Sequence, residues 1–388
     1  MPRILRIINR FNLGGPTFNV AYLTRYLPPD FETLLIGGMK DSTEDSSEFI
    51  LQQLGITPVI IPEMKRELDP TADIIAYRKI KTIIKEFKPD IVHTHASKAG
   101  TIGRLAAIRC NVPVILHTFH GHVFHSYFSS YKTRIFQNIE KGLASKCSCI
   151  VAISEKQKEE LSDVFHIANR EKIEVIPLGF NLDRFNQEKE KKRKEFRTRY
   201  RIEDDELVIS IIGRLVPIKN HNLFLEGLHH VLNYSDKKIR AFIVGDGESR
   251  NLIEEKACQL GIDFTDSTRS DKTATLTFTS WIKQVDPVYA GSDIITLTSL
   301  NEGTPVSLIE AQASGKPIVS TRVGGIENIV IEGETALLAE NNNIRDYSEK
   351  LLALVENKEL RAKMACNGWE NVKNKFHYTR LVDDMARL

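Results

Sequence analysis

The sequence predicts an α/β protein of two doubly wound, Rossmann-like domains facing each other across a cleft. Three observations carry this. Short apolar runs alternate with longer amphipathic segments, the mark of parallel strands joined by crossover helices. The rhythm runs out near residue 178 and begins again near 207, so the pattern occurs twice. At 388 residues the chain is too long for one ordinary core and suits two domains of under about 200 residues each.

In the first half the strand candidates are RILRIIN (3–9), TLLIGG (33–38), ITPVII (56–61), DIVHTH (90–95), VPVILHT (112–118), CIVAIS (149–154) and IEVIP (173–177). Helical patterns such as TADIIAYRKIKTIIKEF (71–87) lie between them. The second half repeats the scheme with LVISIIG (207–213), IRAFIVG (239–245), TLTFTS (275–280), DIITLTS (293–299) and KPIVST (316–321). Each half opens with a strand running into a glycine loop, Leu13-Gly14-Gly15-Pro16 and then Gly213-Arg214. Between the halves, residues 188–201 carry eight Lys or Arg against three Glu. That run reads as a solvated helix entering the second domain, or as a surface for an anionic membrane. The expected boundaries are 1–178, 179–367 and a C-terminal helix over 368–388 that returns to the first domain.

A net charge of +2 implies no nucleic-acid partner. No apolar run is long enough to span a bilayer, and Arg6 interrupts the first one, which reads against a signal peptide. Five scattered cysteines suit reduced thiols in a cytoplasmic protein.

In this architecture ligands bind outside the carboxyl ends of the strands, and the polar motifs fall there. NEGTPVSLIE (301–310) places Glu302 before a Gly-Thr-Pro elbow and Glu310 inside the helix that follows. Pro305 suits the first helical position, and the amides of Val306 and Ser307 would then form an anion site at the helix start. A diphosphate held there would put a sugar on one side and a ribose on the other, each with hydroxyl pairs that carboxylates accept. The plain alternative is a helix-dipole carboxylate and a surface residue. GRLVPIKN adds Arg214 and Lys219 on one short loop, which suits a pyrophosphate leaving group.

Six of the eleven histidines lie in DIVHTH and HTFHGHVFH (117–125). No carboxylate or cysteine stands beside them at ligand spacing, and no D-x-D triplet occurs, so no metal is expected. His120 reads as a polar group facing the cleft and the others as mainly structural.

The chain resembles the retaining GT-B glycosyltransferases of the family 4 group. The resemblance rests on LGGPTFN, VHTHASKAGTIGRLAA, VPVILHTFHGH, VAISE, VIPLGFNLDRF, GRLVPIKN, VGDGESR, and the E-x7-E motif EGTPVSLIE followed by ASGKPIV and VGG. The long histidine loop is similar to enzymes that build bacterial capsule or O-antigen polysaccharide. The resemblance implies that Glu302 contacts the donor sugar and Glu310 the ribose. The Val306 and Ser307 amides, Arg214 and Lys219 hold the diphosphate, and His120 reaches the sugar hydroxyls. Gly15 lets the first-domain loop approach the donor. Gly213, Gly303 and Thr304 complete the donor set, and the base lies near Trp281 and Ile282. The family often has glycine where this chain has Ser280, and FTDSTRSDKTATLTFTS is longer and more polar than its pattern.

The resemblance further implies front-face transfer with retention and no covalent nucleophile. The donor is a nucleotide-sugar, UDP-linked by family frequency and GDP-linked second. No cofactor is expected. The favoured acceptor is a glycan or lipid-linked sugar at the inner face of the membrane, with peripheral membrane contact. Residues 1–178 carry 23 Lys or Arg against 19 Asp or Glu, and SYFSSYKTRIF (126–136) mixes aromatics with cations. The alternatives are a small soluble acceptor, a nucleotide-sugar epimerase or phosphorylase, a nicotinamide oxidoreductase, and a non-catalytic sugar-nucleotide sensor. The oxidoreductase lacks a G-x-G-x-x-G, since VGDGESR offers only Gly245 and Gly247.

Overall fold

The computed structural model describes residues 1–11, 15–39, 47–65, 67, 69–121 and 130–388, the side chains of 130–132 excepted. Leu13 and Gly14 of the first glycine loop, His122, His125 and residues 126–129 lie outside this set. The chain forms two compact units, Met1–Phe180 with Phe376–Leu388, and Asn181–Lys375.

In the first unit, β1 (Arg3–Arg10), β2 (Glu32–Gly38), β3 (Val59–Ile60), β4 (Ile91–His95), β5 (Val114–Phe119), β6 (Cys149–Ala152) and β7 (Ile173–Val175) form one sheet of order 3-2-1-4-5-6-7. Every pairing is parallel. The order reverses between β1 and β4, which sets the switch point of a doubly wound sheet at their carboxyl ends. Leu5 and Ile7 of β1 join Val92, Ile150 and the apolar stripe Ala76, Ile80 and Ile84 of the helix Pro70–Phe87. That helix starts where Asp69 accepts from the Thr71 and Ala72 amides, with Pro70 at its first position. Only Val59 and Ile60 of ITPVII pair, because Pro58 has no N–H for a ladder.

The last helix, Tyr378–Arg387, packs Leu381 and Val382 against Leu23, Val151 and Ile176. The preceding helix, Lys358–Lys373, runs through the expected boundary at 367. Gly368 lies against Gln312, and Asn371 donates to Gln312 Oε1 at 2.7 Å, so the chain stays with the second unit as far as Lys375.

The second unit contains β8 (Leu207–Ile212), β9 (Ile239–Val244), β10 (Phe264–Asp266), β11 (Leu276–Phe278), β12 (Ile294–Leu297), β13 (Ile318–Thr321) and β14 (Ala336–Ala339). They pair in the order 10-11-9-8-12-13-14, again parallel. Sequence patterning missed β10 and β14, because Phe264-Thr265-Asp266 and Ala336-Leu337-Leu338-Ala339 hold no Ile or Val, whereas the equally short β6, β7, β12 and β13 do. The basic run folds as the helix Lys189–Arg199. Phe196 anchors it beside Phe242, while Lys192 pairs with Asp286 at 2.9 Å and Arg193 with Asp293 at 3.0 Å.

Candidate functional site

The carboxyl ends of β8, β9, β11 and β12 gather the predicted residues of the second unit. Gly213 follows β8 and donates to Val244 O at 2.9 Å. Gly245 and Gly247 sit at φ 137° and 158°. A Cβ on Gly245 would meet Gly213 O at 2.0 Å, and one on Gly247 would meet Leu215 O at 2.4 Å. These glycines therefore let two loop backbones pack together, and the dinucleotide reading of VGDGESR loses its basis. Arg214 is exposed and makes no ion pair among the described residues, whereas Lys219 is half-buried and paired.

The Lys219 partner is Glu302, whose Oε1 accepts from Lys219 Nζ and from Ser299 Oγ at 2.5 Å. The Glu302 backbone is clamped as well. Gly325 N–H donates to Glu302 O at 2.8 Å, and a Cβ on Gly324, at φ 56°, would lie 1.9 Å from that oxygen. The VGG motif thus fixes the Glu302 carbonyl. Gly303 is exposed with open space where a Cβ would stand, and Thr304 is half-buried beside it. Pro305 is the N-cap, with φ −70° and ψ 104°, and not the first helical residue as expected. Its extended ψ keeps it out of the helix, which runs Val306–Ala313. Leu308 N–H is taken by Pro305 O at 3.1 Å, leaving the Val306 and Ser307 amides to open the first turn.

Glu310 lies on the same helix, and Tyr289 donates to its Oε2 at 2.9 Å. Burial pushes the Glu310 carboxyl up to about 7, while Arg184 and the Tyr289 hydroxyl pull it down. Burial also holds the Tyr289 phenol well above its ordinary range. Ile282 packs on the cluster around Phe196 and Phe242, and Trp281 is exposed. Ser280 occupies the left-handed region at φ 55°, which accounts for the glycine preference there. Its hydroxyl donates to Asp246 Oδ2 at 2.9 Å, holding the conformation a side chain disfavours.

In the first unit the register sets β4 beside β5, with Thr94 opposite His117 and His95 opposite Thr118. His95 Nδ1 lies 3.0 Å from His120 Nε2. His93 bridges Arg6 at 2.9 Å and Thr118 at 2.8 Å, and His117 meets Thr94 at 2.8 Å. Burial lowers all four imidazoles, His120 to about 3, so each is neutral at pH 7. Ala96, next to His95, has φ 67° and ψ 163°, a region almost confined to glycine. Gly15 is the first residue of the helix Gly15–Tyr26 and not part of a loop. Among the described residues no group of three or more His, Cys, Asp or Glu side chains is arranged to hold a metal.

A family model described as Glycosyl transferases group 1 matches residues 192–370, and one described as Glycosyltransferase Family 4 matches residues 13–184. The chain belongs to these glycosyltransferases. The glycosyltransferase is 28% identical over 339 residues to the UDP-Gal:alpha-D-GlcNAc-diphosphoundecaprenol alpha-1,3-galactosyltransferase of Escherichia coli, covering 84% of this chain and 82% of that protein. It is 26% identical to the capsular polysaccharide biosynthesis glycosyltransferase CapM of Staphylococcus aureus, over 82% of this chain and 80% of that one. Among solved structures, Anabaena Alr3699/HepE in complex with UDP and glucose matches with a TM-score of 0.82 at 16% identity, covering 100% of this chain and 99% of that one. The fold is therefore the GT-B class.

The sequence reading of this glycosyltransferase missed the supporting groups. Tyr289 on Glu310, Ser299 on Glu302 and Asp246 on Ser280 lie 21, 3 and 34 residues from their partners. Only Ser299 stands close enough to its carboxylate for sequence to suggest the contact.

Proposed function

We propose that this glycosyltransferase moves a sugar from a UDP-sugar donor to a lipid-linked glycan with retention of anomeric configuration and without a metal. The observation that carries the reading is the second unit's strand-end cluster. Lys219, Glu302 and the Val306 and Ser307 amides surround one helix start, and Glu310 stands further along the same helix.

In this reading the amides and the positive helix end take the diphosphate, with Lys219 and Arg214 opposing the charge that grows on it as the glycosidic bond breaks. Gly213 and Gly303 leave room beside it, and Thr304 and Ile282 line the donor. Glu302 accepts from the sugar and Glu310, once ionised, from the ribose. In the first unit the His120 imidazole is neutral, so a hydrogen bond from it to a sugar hydroxyl would add no positive charge. The departing diphosphate takes the acceptor hydroxyl's proton on the face it leaves. No residue is asked to act as nucleophile, and the protein contributes position and charge.

The lipid-linked acceptor draws on the diphosphoundecaprenol-linked GlcNAc named for the E. coli relative, and work at the cytoplasmic face of the membrane is part of the same proposal. No helix among the described residues is long and apolar enough to cross a membrane. The deciding experiment is thermal stabilisation by UDP, GDP, ADP and NAD in EDTA, for wild type and Glu310→Ala. UDP should stabilise the wild type alone. Stabilisation by NAD only, or a response that requires added metal, would overturn the reading.

A further inference from the structure

The parallel strands β10 and β11 are joined by residues 267–275 without a helix, whereas parallel pairs ordinarily need a helical crossover. This is the polar stretch that departs from the family pattern. The loop is pinned at several points. Asp266 Oδ1 accepts from Thr268 N–H at 2.8 Å, Ser267 N–H donates to Phe278 O at 3.0 Å, and Thr275 N–H donates to Asp263 Oδ2 at 3.0 Å.

On one sheet face the apolar cover that Phe196 and Tyr200 lay over Phe242 gives way here to polar residues. Register places Thr265 opposite Thr277 and Thr277 opposite Phe242, so both threonines share a face with Arg240, two residues before Phe242. Together with the end of the helix Lys189–Arg199, they enclose a recess of about 160 Å³. Arg199, Arg201, Arg240 and Lys272 line it, against the single carboxylate of Asp271. Glu206, outside the lining, reaches Arg240 only at 3.8 Å. Arg240 and Thr277 are 6% and 2% exposed, yet Arg240 Nε and Thr277 Oγ1 have no hydrogen-bond partner among the described residues. Buried polar atoms ordinarily find one.

We propose that this recess is a second ligand site, which takes a phosphate-class oxyanion. Its volume holds a phosphate group with a few waters but not a nucleotide, whose sites run to about 300 Å³ and above. Guanidinium and hydroxyl donors converging on one recess are the chemistry of oxyanion recognition. Arg240 stands near the start of β9, so the site lies at the end of the sheet away from Glu302. It is separate from the donor cluster and independent of the donor assignment. The same oxyanion could come from a free phosphorylated molecule or from a phospholipid headgroup.

The test is binding of inorganic phosphate at constant ionic strength, with saturating UDP present and absent, by calorimetry and thermal shift. Phosphate also stabilises proteins by exclusion, so the comparison between variants decides. Arg199→Gln with Lys272→Gln changes only exposed side chains, and Thr277→Val keeps the buried shape. Wild type should bind in the millimolar range with UDP present. Both variants should bind at least fivefold more weakly, and Arg214→Ala should bind as wild type. Equal phosphate binding in all variants, or loss only in Arg214→Ala, would overturn the site. If UDP fails to bind but the phosphate response persists, the donor reading falls and the recess stands. Vesicles of phosphatidylglycerol against phosphatidylcholine then assign the source. Association lost in the double variant identifies a lipid headgroup, and phosphate binding without vesicle association identifies a free phosphate.

Discussion

The Tyr289 hydroxyl donates to Glu310 Oε2 at 2.9 Å within the second unit, tying the last carboxylate of the E-x7-E motif to a helix 21 residues away. This bond is one of the forces that keep the Glu310 carboxyl from rising further than about 7. Tyr289→Phe should raise the carboxyl and leave less of it ionised at pH 7. A rise of about one unit lowers the ionised fraction roughly fivefold. UDP affinity should fall by about that factor at pH 7 and recover by pH 9, measured by calorimetry across pH. A loss that persists unchanged at pH 9 would mean that the hydroxyl acts on the nucleotide directly.

The raised Glu310 carboxyl also links stability to pH. The folded state holds this proton between the ordinary 4.5 and about 7, so the group's contribution is full below 4.5 and is lost as pH rises through 7. Glu310→Gln should therefore exceed wild type in stability by about 1–2 kcal/mol above pH 7, with no advantage below pH 4.5. Denaturant melts at pH 4.5 and 8 decide this. UDP binding near pH 7 should release protons from wild type and not from the variant.

Arg214 and Lys219 separate charge stabilisation from folding. Arg214 is exposed and unpaired among the described residues, so Arg214→Ala should leave stability within about 0.5 kcal/mol. Its kcat should still fall on the order of a hundredfold. Lys219→Ala should cost a similar factor in kcat and also leave Glu302 with Ser299 alone. Near-normal kcat at saturating donor in either variant would refute leaving-group stabilisation.

Gly324 tests the clamp on Glu302. Its φ of 56° and the carbonyl 1.9 Å from a built Cβ leave no room for alanine. Gly324→Ala should destabilise by about 3 kcal/mol or more, whereas Gly303→Ala, with open space, should change stability by under about 1 kcal/mol. Urea melts of the two variants give the comparison.

Ala96→Gly should have the opposite sign. It relieves a backbone at φ 67° and ψ 163°, and should raise stability by about 1 kcal/mol in the same urea assay.

Much of the architecture could be read from apolar periodicity, because buried parallel strands need continuous apolar runs and their crossover helices need a 3.6-residue stripe. The motif residues at strand ends were legible for a related reason. The main ligand crevice of a doubly wound sheet lies outside the carboxyl ends of its strands, so Arg214, Lys219, Glu302 and Glu310 could be expected there once the strands were placed. The edge strands β10 and β14 escaped, since Phe-Thr-Asp and Ala-Leu-Leu-Ala lack the Ile and Val that marked the equally short β7 and β12. Pro305 was misplaced by one residue because its ring fixes φ, here −70°, but leaves ψ free, and ψ is extended at 104°.

Local chain chemistry was enough to establish two α/β halves, the glycine elbows and the identity of the polar residues at the strand ends. Tertiary packing decided their chemical state. Burial moves Glu310 to about 7 and His120 to about 3, and the partners that hold these groups, Tyr289 and His95, are 21 and 25 residues away. Desolvation and long-range hydrogen bonds depend on what surrounds a group in space, which neighbours in sequence do not specify.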